Sequence, residues 1–516
     1  MYKIIYFMKI INTLIAFAFL SNTTFAVDAY WKGTEPVNDV AQNTDWKISK
    51  FWIDGVVPNN TADVSYDVYF DVDKMPSTSF TSTGSVADMS GWDYHLTVNS
   101  VTVNGRAFSK INSGGSADAS EAYINTIGDF TKLGAGTSVT ICKGRNVDFN
   151  VSIGGNLVLG ADKNTSGGSI SFGGTGGIDT DWNGALKSLV IEKDIYLYNT
   201  GSLYLNVKSG NGSIDNTDVQ IKGIVRALGI TGEGGVWATP YISVMEQYAG
   251  TAGNSYIGVG GMTGHMVLLG VGGGTAYQGA STAYVVFNNA ADVDVSMRGQ
   301  IYDSYNKSNP TKLGLVMNGA GIQRITSDKL QFTGGVEVRN GTLSFDASKT
   351  MWNNPSYSES NHGDLIMRGG KLIFTNNQSE GVFGFDNFYY NGGIVSLNVN
   401  DYGMTCLSLA KTLQWGDAVT SEKVKFMFTG DVGYYLIGEE NKAKIVSWEL
   451  GNAPTDFENS DFWAENLTVL DQEYMAVFEQ LSDGLYVYYT QAVPEPSTFA
   501  AMLGVLALGL VIYRKR

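Results

Sequence analysis

Cysteine is almost missing from this chain: Cys142 and Cys406 are the only two in 516 residues. That excludes a disulfide framework and a cysteine-built zinc site. Proline, at 9 residues, is far below its usual ~5%, which excludes a proline-rich linker protein and a collagen. Histidine occurs three times, as His95, His265 and His362, and none has a metal-ligand partner at helical or hairpin spacing. The motifs G-x-S-x-G, H-E-x-x-H, G-x-G-x-x-G and the P-loop do not occur. Positive charge is short as well: 34 Lys and Arg face 50 Asp and Glu, for a net charge of -16. A partner bound through its phosphates needs a basic surface, so nucleic acid is excluded. No cofactor is expected.

What the chain has in excess is glycine, 63 residues, about 12% against a usual ~7%. Short apolar or alternating runs recur between Gly, Asn, Asp and Ser, as in "HLTVNSVTVNG", "NVDFNVSIGGNLVLG", "GVEVRNGTLSFD" and "GGIVSLNVN". Sustained 3.6-residue periodicity is lacking between Val27 and Gln491, so the chain reads as all-β. Segments of the form x-G-x-L-x-apolar recur around Gly201-Ser202-Leu203, Gly341-Thr342-Leu343, Gly370-Lys371-Leu372 and Gly393-Ile394-Val395, with Leu343 and Leu372 separated by 29 residues and Leu372 and Val395 by 23. Coils of roughly 20 to 30 residues, each unable to bury its inner face alone, point to an elongated parallel β-solenoid (β-helix). A series of β-sandwiches is the alternative architecture. Stacking at ~4.8 Å per coil would hold the two cysteines far beyond the ~7 Å that a disulfide tolerates. Both are expected as free, buried thiols.

The two ends carry separate signals. Lys3 and Lys9 precede an apolar run from Ile10 to Leu20 and the small, polar "SNTTFA", the pattern of a secretory signal peptide over residues 1–26 with cleavage after Ala26. Signal peptidase is then a partner. At the other end, Phe499 to Tyr513 are uninterrupted apolar or small residues, about 22 Å of helix at ~1.5 Å per residue. A single C-terminal transmembrane helix is expected there, although a hydrocarbon core is ~30 Å thick. Arg514, Lys515 and Arg516 form a basic stop on the cytoplasmic side. Ahead of it, Pro494, Glu495 and Pro496 make a stiff strip that cannot join a sheet.

Pro-Glu-Pro, a short apolar segment and a basic end together resemble the PEP-CTERM sorting signal. The resemblance implies recognition of Pro494, Glu495 and Pro496 by an exosortase-like membrane enzyme, transient anchoring at the inner membrane, and release to the cell surface or beyond. In the body, "GGVEVRNGTLSFD" (Gly334 to Asp346) is similar to the autotransporter-associated β-strand repeat, and "YWKG" with "FWIDGVVPNN" is similar to the Trp-rich N-terminal caps of those exported proteins. The expected order is therefore a signal peptide (1–26), an N-terminal cap and β region (27–105), a solenoid body with a C-terminal β segment (106–491) and a sorting tail (492–516). No terminal series of amphipathic strands forms a membrane barrel, so a true autotransporter is not expected.

Chemistry-bearing candidates are few. The pairs Asp71/Asp73, Asp179/Asp181 and Asp292/Asp294 put two carboxylates on one face of a strand, as cation or acid-base sites require. The glycine clusters Gly258–Gly264 and Gly270–Gly274 read as turns. Tyrosines in "YDVYFDV" and "DNFYYNGG" could stack on sugars or form a ladder inside the body. The expectation is a non-enzymatic surface or extracellular-matrix protein of structural or adhesion type, in contact with exopolysaccharide or other surface polymers. The alternative is a carbohydrate-binding or polysaccharide-degrading β-helix.

Overall fold

The computed structural model describes residues 25–31, 44–45, 52–61, 64–71, 86–88, 95–104, 110–112, 121–134, 139–143, 148–161, 168–173, 186–207, 212–228, 241–246, 254–272, 282–303, 312–347, 363–376, 382–401, 403–417, 423–492, 503–507, 510 and 513–514. The chain is all-β and divides into two compact units, Met1–Gly334 and Gly335–Arg516.

In the first unit, alternation decides the architecture. Along Ser100–Asn104 and Glu121–Thr126 every second residue is buried, so one face of each strand must be covered from within. Parallel pairing to the next copy up the chain supplies the cover, in three ladders. The first ladder runs through Phe25–Tyr30, Val64–Asp71, Ser100–Asn104, Phe130–Leu133, Leu157–Leu159, Ile195–Tyr198 and Val225–Leu228. The second contains His95–Val98, Glu121–Thr126, Asp148–Ile153, Leu186–Ile191, Val219–Ile221, Ser255–Val259, Thr282–Phe287 and Lys312–Met317. The third joins Val86–Asp88, Lys110–Asn112, Val139–Lys143, Ser169–Phe172, Ser202–Val207 and Tyr241–Glu246. One strand for each ladder per turn of chain is a β-helix-like, parallel arrangement.

Register turns the sequence pattern into a core. Val68, Val101, Phe130, Leu157, Ile195, Val225 and Met262 are successive partners on the first ladder, and none is more than 1% exposed. Each such side chain contributes ~1.5–3 kcal/mol on burial, but only when the neighbouring coil is present. Two positions on, the stack reads Phe70, Val103, Lys132, Leu159, Leu197, Ala227 and Gly264. A lysine therefore stands in an otherwise apolar column.

Coil length varies, and some coils exceed the expected 20 to 30 residues. Hydrogen-bonded equivalents lie 27 residues apart at Asp129 and Asn156 but 38 apart at Asn156 and Asp194. The extra length lies in the connections between ladders, where it leaves the pairing unchanged. The glycine clusters also differ from the expected turns: Gly258 belongs to Ser255–Val259, while Gly264, Gly270 and Gly272 belong to the 11-residue strand Met262–Gly272. That strand serves the first ladder with one end and the third with the other. It bends at Gly264, whose φ is 92°, where a Cβ would stand 2.0 Å from the Ala227 carbonyl oxygen. Only glycine permits a corner made inside a strand in this way.

The Trp-rich start does form a closed aromatic core. Trp31 and Trp52 are 0% and 2% exposed, meet edge to face at 5.0 Å, and both lie against Phe70.

In the second unit, Thr342–Ala347, Lys371–Asn376, Ile394–Asn400 and Val424–Gly430 stack in parallel. The recurring motif falls in register: Leu343 lies beside Leu372, and Leu372 beside Val395. A second stack joins Val382–Phe385, Cys406–Leu409 and Ala443–Trp448 in parallel, after which Gly484–Gln491 and Gln472–Leu481 pair antiparallel. Cys406 is a free thiol, half-buried rather than buried, and desolvation pushes its pKa up to about 11. Cys142 falls in Val139–Lys143, its side chain outside the described residues.

The expected C-terminal transmembrane helix lies partly outside the described residues. Residues 503–507, 510 and 513–514 are helical and exposed, and no helix among the described residues is long and apolar enough to cross a membrane.

Candidate functional site

The outer face of the second ladder carries the polar chemistry of the first unit. His95, Tyr123, Asn150 and Ser188 are register partners on four successive coils. His95 and Tyr123 stack at 4.6 Å with their planes 6° apart. Tyr123 donates its hydroxyl hydrogen to Glu121 at 2.7 Å, and Asn150 donates to the same carboxylate at 3.1 Å. The Lys187 ammonium completes the cluster on Glu121. Lys187 reaches it because the pairing register slips between Phe149 and Asn150, which leaves Lys187 bulged out of the ladder. Lys187 first, then Tyr123, hold the Glu121 carboxyl down to about 2. A carboxylate so firmly ionised is no proton donor near neutral pH, and the cluster fastens coils together.

Further along the same ladder lies a cleft of about 300 Å³, the lower end of the ~300–1,000 Å³ usual for small-ligand sites. Its polar walls are Asp215, Thr217, Gln220, Lys222, Asn288 and Asn318, over a floor at Gly258. The floor is open because Gly258 has no side chain: a Cβ there would meet Thr217 Oγ1 at 2.7 Å and Asn288 Nδ2 at 3.0 Å. Asn288 and Asn318 close two successive strands, and Asn318 Nδ2 donates to Asn288 Oδ1 at 3.0 Å. Gln220 Nε2 donates to the Thr217 carbonyl at 3.4 Å. The loop carrying Asp215 is tied by two bonds between Ser213 and Asn216, at 2.9 and 3.1 Å. Lys222 is neutralised by Glu192, at 2.7 and 2.8 Å. Beside the cleft, burial pushes the Asp218 carboxyl up to about 6, with the Tyr256 N–H at 3.4 Å.

Tyr256 and Tyr284 stack 5.3 Å apart with planes 11° from parallel, and a Cβ on Gly314 would lie 2.5 Å from the Tyr284 ring. Tyrosine ladders thus run on the outside of the body, while Phe345 and Phe374 stack within it. Each ring of such a pair spends one face on its neighbour.

No protein-family model matches the chain, and no curated protein matches it in sequence.

The residues singled out from sequence scatter. Ala26 lies exposed in Phe25–Tyr30, opposite Ser65. Arg514 is helical and exposed; Pro494, Glu495, Pro496, Lys515 and Arg516 lie outside the described residues. Asp71 accepts a hydrogen bond from Asn104 at 3.0 Å, and Asp294 pairs with Arg324 through both carboxylate oxygens at 2.9 and 2.8 Å. Asp73, Asp179, Asp181 and His362 lie outside the described residues. Among the described residues, no three His, Cys, Asp or Glu side chains gather as a metal ion would require. The cleft was missed because its walls come from separate coils. One signal was present: "TAYVVFN" and "KLGLVMN" end on Asn288 and Asn318, 30 residues apart.

Proposed function

We propose that this is an exported, non-enzymatic protein of a Gram-negative-type bacterial surface or extracellular matrix, sorted through Pro494-Glu495-Pro496 by an exosortase-like enzyme. Its β-helix-like body is the displayed scaffold, and the apolar tail with Arg514, Lys515 and Arg516 gives a temporary hold at the inner membrane. The observation that supports the reading is the register of the first strand: cleavage by signal peptidase after Ala26 would remove the paired Phe25 and Ala26 and still leave Val27, Asp28, Ala29 and Tyr30 opposite Tyr66, Asp67, Val68 and Tyr69. A body built by stacking parallel strands coil on coil suits a display role.

Intact-mass and fractionation analysis of the protein from its own type of host tests this. The expected product begins at Val27, lacks the tail and sits outside the inner membrane, while a variant with Pro494, Glu495 and Pro496 all changed to Ala stays inside. A wild-type product retained to Arg516 in the inner membrane overturns the reading. The cleft on the second ladder favours the binding half of the carbohydrate alternative.

A further inference from the structure

We infer that the cleft floored by Gly258 is a subsite for one or two units of a neutral glycan lying along the stacked coils. The inference rests on the carbohydrate-binding reading and is independent of how the chain is sorted.

Elimination by chemistry leads there. An anionic ligand needs uncompensated positive charge, but Lys222, the one cation among the described lining residues, is held by both oxygens of Glu192 at 2.7 and 2.8 Å. The whole chain, at -16, would also repel a polyanion. A bare metal ion needs several hard ligands, and among the described residues lining the cleft Asp215 is the only carboxylate. An apolar ligand needs aromatic or aliphatic walls, and the exposed lining is mainly polar, with Ile214 and Ile221 the only aliphatic side chains.

What remains is a ligand that donates and accepts hydrogen bonds in the same small volume. Gln220, Asn288 and Asn318 each carry an N–H₂ donor and a carbonyl acceptor, Thr217 adds a hydroxyl, and Asp215 accepts. Vicinal hydroxyls of a sugar ring have the matching character: each gives one hydrogen and takes another. The direction of the ligand follows from the fold. Asn288 and Asn318 occupy equivalent places on adjacent coils and are linked at 3.0 Å, so equivalent groups recur at the coil rise of ~4.8 Å. That is close to the length of one sugar ring in an extended chain. The hydroxyl of Tyr256, part-exposed two residues before Gly258, lies on the same strand face and extends the polar track.

The test is calorimetric titration of the purified full chain with cellohexaose and laminarihexaose as neutral probes and hexagalacturonate as the acidic one. The expected result is saturable binding of a neutral hexasaccharide and none of the acidic one. Gln220→Ala with Asn318→Ala, both at the cleft wall and outside the core, should weaken that binding at least tenfold while the circular-dichroism melt stays within a few degrees. Gly258→Ser, which fills the floor, should do the same; if it fails to fold, the double variant alone decides. Neutral binding that survives the double variant overturns this subsite but leaves the carbohydrate-binding reading standing. Absence of neutral binding at millimolar concentrations, or a preference for hexagalacturonate, overturns the inference together with the chemistry assigned to the cleft.

Discussion

Asn156 donates to Asp129 twice, through its backbone N–H at 2.7 Å and its side-chain amide at 3.2 Å, across a gap of 27 residues. It then accepts from the backbone N–H of Asp194 at 3.2 Å, and Asp194 accepts from that of Ile224 at 2.8 Å. Each side chain satisfies a backbone donor of the following coil at a corner where no strand pairing does so.

Asn156→Ala should therefore cost about 1–2 kcal/mol, the loss expected when a partly buried donor or acceptor is left without its partner. Asn156→Asp should cost more, since it sets a second carboxylate against Asp129. Urea unfolding of both variants checks the order.

Gly264→Ala and Gly299→Ala should each cost more than about 3 kcal/mol or prevent folding. Their φ values are +92° and +119°, and the added Cβ would lie 2.0 Å from the Ala227 oxygen and 1.9 Å from the Met266 oxygen. Gly403→Ala is the control: its φ is +116° but nothing lies within 4 Å, so only backbone strain of roughly 1–2 kcal/mol is added. Equal losses at all three sites would refute the steric account.

Lys132 is 0% exposed, between Val103 and Leu159 in the core column, and its ammonium donates to the carbonyls of Leu133 at 2.7 Å and Gly134 at 3.3 Å. Burial pulls its pKa from 10.5 down to about 8. Between those values the unfolded chain binds more protons than the folded one, so stability should rise with pH from about 8 to 10.5. Lys132→Met should flatten that rise without lowering stability at pH 7. Melting curves across the window decide.

Asp218 has the opposite sign. Its folded pKa of about 6 exceeds the ordinary 3.8, so the folded chain holds the extra proton and its contribution to stability falls as pH rises from about 4 through 6. Asp218→Asn should raise the melting temperature at pH 7 and leave it nearly unchanged at pH 4.

Leu470 and Asp471 form the two-residue turn between Val469 and Gln472, with φ of 51° and 62°. Leucine resists that conformation, and here it is 96% exposed. Leu470→Asn should stabilise by about 0.5–1 kcal/mol, because asparagine tolerates a left-handed turn. A fall in melting temperature would show that Leu470 has a packing partner.

These sites mark what the sequence can and cannot express. Alternation along Ser100–Asn104 and the glycine before Thr342, Lys371 and Ile394 are local signals, and they sufficed for an all-β, parallel stack. Coil length was not legible, because connections of different length close on the same register. Lys132 could not be read as interior, since its strand "FTKL" alternates like any half-exposed strand. The cleft was hidden for a related reason: Gln220, Gly258, Asn288 and Asn318 meet only after several coils have stacked.

The change of direction in the second unit bears on assembly between molecules. A row of parallel strands will accept any further strand in the same sense, including one from another copy, and so resembles the growing end of a fibre. After Ala443–Trp448 the next strand, Gly484–Gln491, runs the other way, and Gln472–Leu481 folds back over it. The hairpin acts as a chain terminator, making that row a particle of fixed length, and its removal would expose a seed.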